Sequence, residues 1–252
     1  MLQARPFSGV AALDTTMFSI ARSCRSRSLR LSQRVLSSFD RMTIDGRVHS
    51  KEEVLISLQV SSNGKVEPVT HMRSTLVAAS LLSLKSLGHL DAYLRNLPAA
   101  LHDTILHSVA GMWLPLEIGV AHYRAADALD LSVEEQIAVG HAVADRIQKS
   151  LLGTLVRVAK SAGVTPWTGL EYSPRLWGRV LQGGSLALYR LGPKEARVEC
   201  HGAPELARLP YFRNGFRGMF LGSGQLFCEK LYARDLASFV ARGVVAFQVA
   251  WV

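Results

Sequence analysis

His122, His141, Arg213 and Arg217 are the residues whose types and surroundings could do chemistry. Both histidines fall in helical pattern, where an imidazole can face a cavity, ligate a metal or accept and donate hydrogen bonds. A single helical histidine has a plainer reading as an interior residue held by hydrogen bonds. Arg213 and Arg217 stand four apart, so they share one helical face, and Gly218 leaves room beside them for an anion held between two guanidinium groups. Their plainer reading is solvated helix charge. These four are the candidate cofactor-binding residues, and no residue is assigned a catalytic or metal-binding role.

Other chemistries lack their residues. Nucleophilic hydrolysis needs Ser or Cys beside a His with an orienting carboxylate. The chain has no Gly-x-Ser-x-Gly, and Gly222-Ser223-Gly224 lacks that spacing. Cys200 and His201 are adjacent in a strand-like run, where successive side chains point to opposite faces. A His-Glu-x-x-His pair, a phosphate loop and a dinucleotide glycine signature are all missing from the sequence. Trp113, Trp167, Trp177 and Trp251 read as core or boundary fillers before they read as the walls of a ligand cavity.

Positioning these side chains falls to a helical front and a strand-rich back. From Ser74, Leu76, Leu81, Leu84 and Leu87 recur at helical spacing, and Gly88 ends the run. Leu90 to Leu97 gives a second helix, and Pro98 to Gly111 a third. Trp113-Leu114-Pro115 predicts the start of a helix that carries His122 and runs to about Leu129, with Pro in its first turn. Ser132 and Glu135 form a capping box. Behind it an amphipathic face runs from Val133 through Ile147 and Val158 to Gly163, and it carries His141. Ser173-Pro174 opens a short helix.

After Gly183-Gly184 the period becomes that of strands. Ser185 to Arg190 and Ala196 to His201 flank Gly192-Pro193-Lys194-Glu195, a hairpin turn. Tyr211 to Phe227 is apolar and carries four glycines, a cost of about 1 kcal/mol each in a free helix. It reads as a helix lying close against a sheet. Lys230 to Phe239 and Val244 to Trp251 complete a second hairpin. The expected fold is α+β, an N-terminal helical layer packed on a four-stranded antiparallel sheet in β-β-α-β-β order.

Charge divides the chain. Residues 1–50 hold eight Arg against three acids, whereas residues 51–252 hold 21 Lys and Arg against 17 Asp and Glu, so the body is only mildly basic and no nucleic-acid partner is expected. Residues 1–45 are expected to be a disordered Arg/Ser-rich extension. A transit-like segment and a start at Met42 remain open beside it. Residues 46–69 form a short arm, with a strand or hairpin at Val54 to Val60 and a turn at Ser61 to Gly64. Residues 70–252 form a single α+β domain. The longest uncharged stretch, Thr104 to Leu116, is 13 residues, short of the roughly 20 that span a bilayer. Three scattered cysteines make no disulfide framework, and the chain reads as soluble and cytoplasmic.

His122-Tyr123-Arg124, the cap at Ser132, Gly163-Val164-Thr165-Pro166-Trp167, Gly183-Gly184, Gly192-Pro193-Lys194-Glu195-Ala196, Tyr211-Phe212-Arg213 and Trp251 together resemble an uncharacterised paralogous family of myxobacteria, over residues 70–252. Its layout is similar to the ligand-binding fold shared by haem nitric-oxide sensors, vinyl-4-reductase-like domains and vesicle-transport adaptor subunits. The resemblance implies a fold and a leaning toward sensing or binding. Haem sensors hold the haem propionates with a Tyr-x-Ser-x-Arg triplet, whereas Tyr172-Ser173-Pro174-Arg175 puts Tyr and Ser side by side. Haem is therefore weighed and placed behind an unknown ligand.

The expectation is a non-enzymatic small-molecule-binding or regulatory protein. Its pocket would lie between the helix of 132–162 and the sheet, and its partner would be a small apolar ligand or another protein. Two alternatives stand: a protein-interaction adaptor docking through the sheet or the 209–227 helix, and an enzyme with a pocket near His122, His141 or Arg213. A homodimer is left open.

Overall fold

The structure is a computed structural model that describes residues 52–109, 111–147 and 165–252. The expectations for the 1–45 extension, for the second half of the long helix and for Gly163-Val164 lie outside the described residues. In chain order the elements are β1 (Glu53–Ile56), β2 (His71–Arg73), α1 (Ser74–Ser86), α2 (Leu90–Asn96), a 3-10 turn (Ala99–Leu101), α3 (His102–Leu106), β3 (Trp113–Pro115), α4 (Leu116–Asp127) and α5 (Val133–Ile147). There follow α6 (Pro166–Glu171), α7 (Ser173–Val180), β4 (Leu181–Gln182), β5 (Ser185–Gly192), β6 (Glu195–His201), α8 (Pro204–Ala207), α9 (Pro210–Gly224), β7 (Leu231–Asp235), a 3-10 turn (Ala237–Arg242) and β8 (Val245–Trp251).

The chain is α+β, with helices preceding an antiparallel sheet. The four C-terminal strands pair in the order β5-β6-β8-β7, and α8 and α9 make the crossover. A fifth strand joins them, because β1 adds to the open edge of β5 with Glu53 opposite Arg190 and Val54 opposite Tyr189. Covering that edge satisfies backbone groups that would otherwise template a foreign strand. The arm therefore pairs with a distant strand instead of folding back as its own hairpin. The turn after it closes as expected, Gly64 N donating to Ser61 O at 2.9 Å.

A second sheet of three very short strands, β3-β2-β4, ties the start of the helical layer to the end of α7. Here the structure departs from the expected helix start at Trp113. Trp113–Pro115 is extended and pairs with β2, and Pro115 becomes the residue before the helix, at φ −50 and ψ 142. The neighbouring backbone decides this: Ser74 N donates to Met112 O at 2.9 Å and Leu116 N to Thr70 O at 2.8 Å. The third expected helix shrinks to Ala99–Leu106, and the strand expected to Phe239 ends at Asp235 before a 3-10 turn.

Period-two alternation gives the main sheet two unlike faces. Leu186, Leu188, Val198, Val245, Phe247 and Val249 are buried on one, against α9. Phe216 and Phe220 of α9 stand 6.1 and 5.8 Å from the Phe247 ring. On the other face Arg197 grips Glu52 with two bonds, of 2.5 and 2.7 Å, and its Nε donates to Glu199 at 2.7 Å. His201 bonds the second oxygen of Glu199 at 3.0 Å. Burial alone would raise the Glu199 pKa, but His201 and Arg197 outweigh it and hold the carboxyl below its usual range.

The long helix begins as its capping box dictates. Ser132 N donates to Glu135 at 2.9 Å and Glu135 N donates to Ser132 Oγ at 3.2 Å. Among the described residues α9 lies between this helix, α5, and the sheet. Backbone meets backbone where they cross: a Cβ on Gly140 would collide with the Gly215 carbonyl, and one on Gly218 with the Ile137 carbonyl. The glycines that weaken α9 as a free helix are what let it approach α5.

Candidate functional site

Four helices deliver polar side chains to one buried point beside that crossing. On α1 the positions facing inward include Leu76, Ser80 and Leu84, so the helical repeat carries the Ser80 hydroxyl inward between two leucines. Helix α2 brings Tyr93, α4 brings His122 and α9 brings Tyr211 at its second residue. The α9 start is fixed by Asp127 at the end of α4, whose carboxylate accepts from Tyr211 N at 2.8 Å.

The four groups form a chain. Tyr93 OH is 2.8 Å from His122 Nδ1, His122 Nε2 is 3.0 Å from Ser80 Oγ, and Ser80 Oγ is 2.9 Å from Tyr211 OH. His122 is wholly buried, and the Tyr93 and Tyr123 rings meet it edge-on with centroids 5.3 and 4.9 Å away. With no water to solvate an imidazolium, burial pushes its pKa down to about 3, so the ring is neutral near pH 7. Burial likewise raises Tyr93 and Tyr123, and pushes Tyr211 up to about 12. The whole chain is therefore uncharged.

Against the Ser80 and Tyr211 end lies a cavity of about 20 Å³, walled by α1, α4, α5 and α9. Leu76, Val139, Val143, Phe212, Phe216 and Met219 make it apolar, and the backbones of Gly140 and Gly215 close it at the crossing. It sits between the long helix and α9, one layer further from the sheet than the pocket the sequence led us to expect. A water needs roughly 10–15 Å³ and two to four polar partners. At about 20 Å³ the space is little larger than one water needs, so an occupant of two or three heavy atoms would fill it, and its walls favour apolar ones.

The four sequence candidates fall in different places, and none lines this cavity. His122 touches it through Ser80. His141 lies on α5 with Nδ1 packed over Gly222 of α9. Arg213 and Arg217 fasten α9 to the edge strand: Arg213 Nε donates to Asp235 Oδ2 at 3.1 Å and its Nη1 to Ala207 O at 2.9 Å, while Arg217 Nε donates to Ala233 O at 2.6 Å. Burial lowers the Arg217 pKa. Ser80, Tyr93 and Tyr211 are the site residues that sequence reasoning passed over. Ser80 alone left a signal, a hydroxyl midway between Leu76 and Leu84 at helical spacing.

These residues do not fit haem. Both ring nitrogens of His122 are engaged, the cavity is far below porphyrin size, and Tyr172-Ser173-Pro174-Arg175 folds on itself. There Ser173 Oγ donates to Leu170 O at 2.5 Å and the Arg175 guanidinium sits 5.2 Å from the Tyr172 ring. No cluster of His, Cys, Asp or Glu among the described residues could hold a metal ion, and no described helix is long and apolar enough to cross a membrane.

No family model matches the sequence, and no curated protein matches it. Among solved structures, the chain is similar to an oxygen-binding H-NOX domain related to soluble guanylate cyclases, solved as its oxygen complex. That similarity runs at 13% identity with a TM-score of 0.45, over 71% of this chain and 95% of the domain. A structure from work probing haem distortion in the H-NOX family is similar at 14% identity, TM-score 0.46, over 71% of this chain and 95% of that one. Another, from work on haem redox potential and porphyrin distortion, is similar at 13% identity, TM-score 0.44, over 71% of this chain and 98% of that one.

Proposed function

We propose that this chain is a non-enzymatic regulatory protein that binds a small, largely apolar molecule in the cavity at the α5–α9 crossing. The observation that carries this reading is the cavity itself: apolar walls, glycines where helices cross, and a neutral hydroxyl pair at one end. Concave apolar space with few convergent polar groups is what ligand sites are built from. A group with a pKa poised near 7 is what a general acid or base would need, and burial moves His122 well away from it.

Binding would stiffen the crossing of α5 and α9, and α9 is the helix that supports the sheet. In the same reading His122 orients the hydroxyls, His141 packs the crossing, and Arg213 and Arg217 couple α9 to β7. The chain is proposed to belong with the myxobacterial paralogues, to act in the cytoplasm, and to divide into an extension (1–45), an arm (46–69) and a binding domain (70–252).

Native mass spectrometry of freshly purified protein, together with thermal unfolding under compounds of two or three heavy atoms, tests the reading. A ligand at ten times its Kd adds about 1.4 kcal/mol to native stability. Val143→Ile, which adds a methylene to the cavity wall, should abolish that gain. Unchanged unfolding across the series, with no retained ligand, would remove the proposal.

A further inference from the structure

Counting protons along the buried chain restricts the ligand. Tyr93, His122, Ser80 and Tyr211, all neutral, bring four protons: three hydroxyl protons and one on the imidazole. Three contacts link them, and each contact uses one proton. One donor therefore has no acceptor among the described residues, whichever way the chain runs.

Three unbroken orders exist, because the Ser80 oxygen can accept twice. With Nε2 protonated, Tyr93 donates to Nδ1 and Nε2–H donates to Ser80, and the last link runs either from Ser80 to Tyr211 or from Tyr211 to Ser80, which leaves the Tyr211 or the Ser80 proton over. With Nδ1 protonated, Tyr211 donates to Ser80, Ser80 to Nε2 and Nδ1–H to Tyr93, which leaves the Tyr93 proton over. All three groups are almost wholly buried, so bulk water does not take up the surplus. They differ in one respect: Tyr211 and Ser80 are on the cavity wall and Tyr93 is not.

Resting on the cavity reading above, we infer that the ligand is a compact molecule of two or three heavy atoms, apolar except for one hydrogen-bond acceptor. That acceptor takes the surplus proton of Tyr211 or Ser80, and either order holds His122 as the Nε2–H tautomer. A ligand with no acceptor leaves a buried donor unmatched. One that is itself a donor competes with the proton already there. Binding is then recorded two links away from Tyr211, as the choice of His122 tautomer, and the chain ends at Tyr93.

Acetonitrile and propyne test this, because they share a linear shape of three heavy atoms and only acetonitrile carries an acceptor nitrogen. Full-length protein labelled with 15N-histidine is titrated with each, and long-range 1H–15N spectra report the protonated nitrogen of His122. Three heavy atoms limit either affinity to roughly millimolar. Corrected for partition between water and hydrocarbon, acetonitrile should bind roughly tenfold tighter, the factor that one buried hydrogen bond contributes. Its saturated complex should hold His122 protonated on Nε2 only.

Equal corrected affinities, or a saturated acetonitrile complex protonated on Nδ1, would overturn the inference while the cavity reading stands. If neither compound binds, the cavity reading itself falls and the inference falls with it.

Discussion

Acid should begin to destabilise this protein through His122 before ordinary carboxylates are protonated. Folding lowers that imidazole from its ordinary 6.5 to about 3 through burial, so the unfolded chain takes up a proton as pH drops through 6.5 while the folded chain stays neutral. Stability from this group is complete above pH 6.5 and drains away down to about pH 3. No carboxylate is bonded to the ring; its partners are the Tyr93 and Ser80 hydroxyls, with the Tyr123 ring edge-on. At 1.36 kcal/mol per pH unit, the drop from 6.5 to 5 costs roughly 2 kcal/mol. For a domain of about 200 residues that lowers Tm by roughly 4–8 °C. His122→Gln cannot titrate. Urea unfolding of wild type and variant at pH 7 and pH 5 cancels the exposed histidines, and the gap between the two proteins should shrink by roughly 2 kcal/mol at the lower pH. Parallel losses in both proteins would refute the burial argument, because they would mean that the imidazole is solvated or already protonated.

Glycine substitutions should separate close approach from helix propensity. Gly140→Ala drives a Cβ into the Gly215 carbonyl and should cost about 3 kcal/mol or more by chemical denaturation. Gly178→Ala meets nothing within 4 Å and should stabilise α7 by up to about 1 kcal/mol. Arg197→Met leaves Glu199 almost buried with His201 as its one remaining partner among the described residues. It should cost about 2 kcal/mol at pH 7, and less as Glu199 becomes protonated below its usual range; a cost independent of pH would contradict the network. Burial raises the thiol pKa of Cys200 strongly, and it lies on the sheet's core face, so native protein should take up alkylating reagent at half-buried Cys228 and leave Cys200 free until it unfolds.

What could be read from the sequence was local. The capping box, the Gly-Pro-Lys-Glu hairpin and the β-β-α-β-β order each depend on residues close together in the chain, and each forms. β1 could not be read because its partner is more than 130 residues away and its own alternation is weak. Trp113–Pro115 misled because a Pro suited to a helix start also suits extended backbone, and only the β2 partner chooses between them. At the site, His122 was visible as a residue and opaque as an environment. Its two partners come from α1 and α2, and the neighbouring cavity depends on glycines of α5 and α9 meeting. The fates of Arg213 and Arg217 turn on an Asp and a carbonyl of β7, which no spacing within α9 reveals.

Methyl-resolved 13C spectra recorded while propyne is added measure most directly whether the α5–α9 crossing is a binding site. Saturable shifts should centre on the methyls of Leu76, Val139, Val143 and Met219 and disappear in Val143→Ile. Shifts that are linear in concentration, spread over the surface, or unaffected by Val143→Ile would contradict the account.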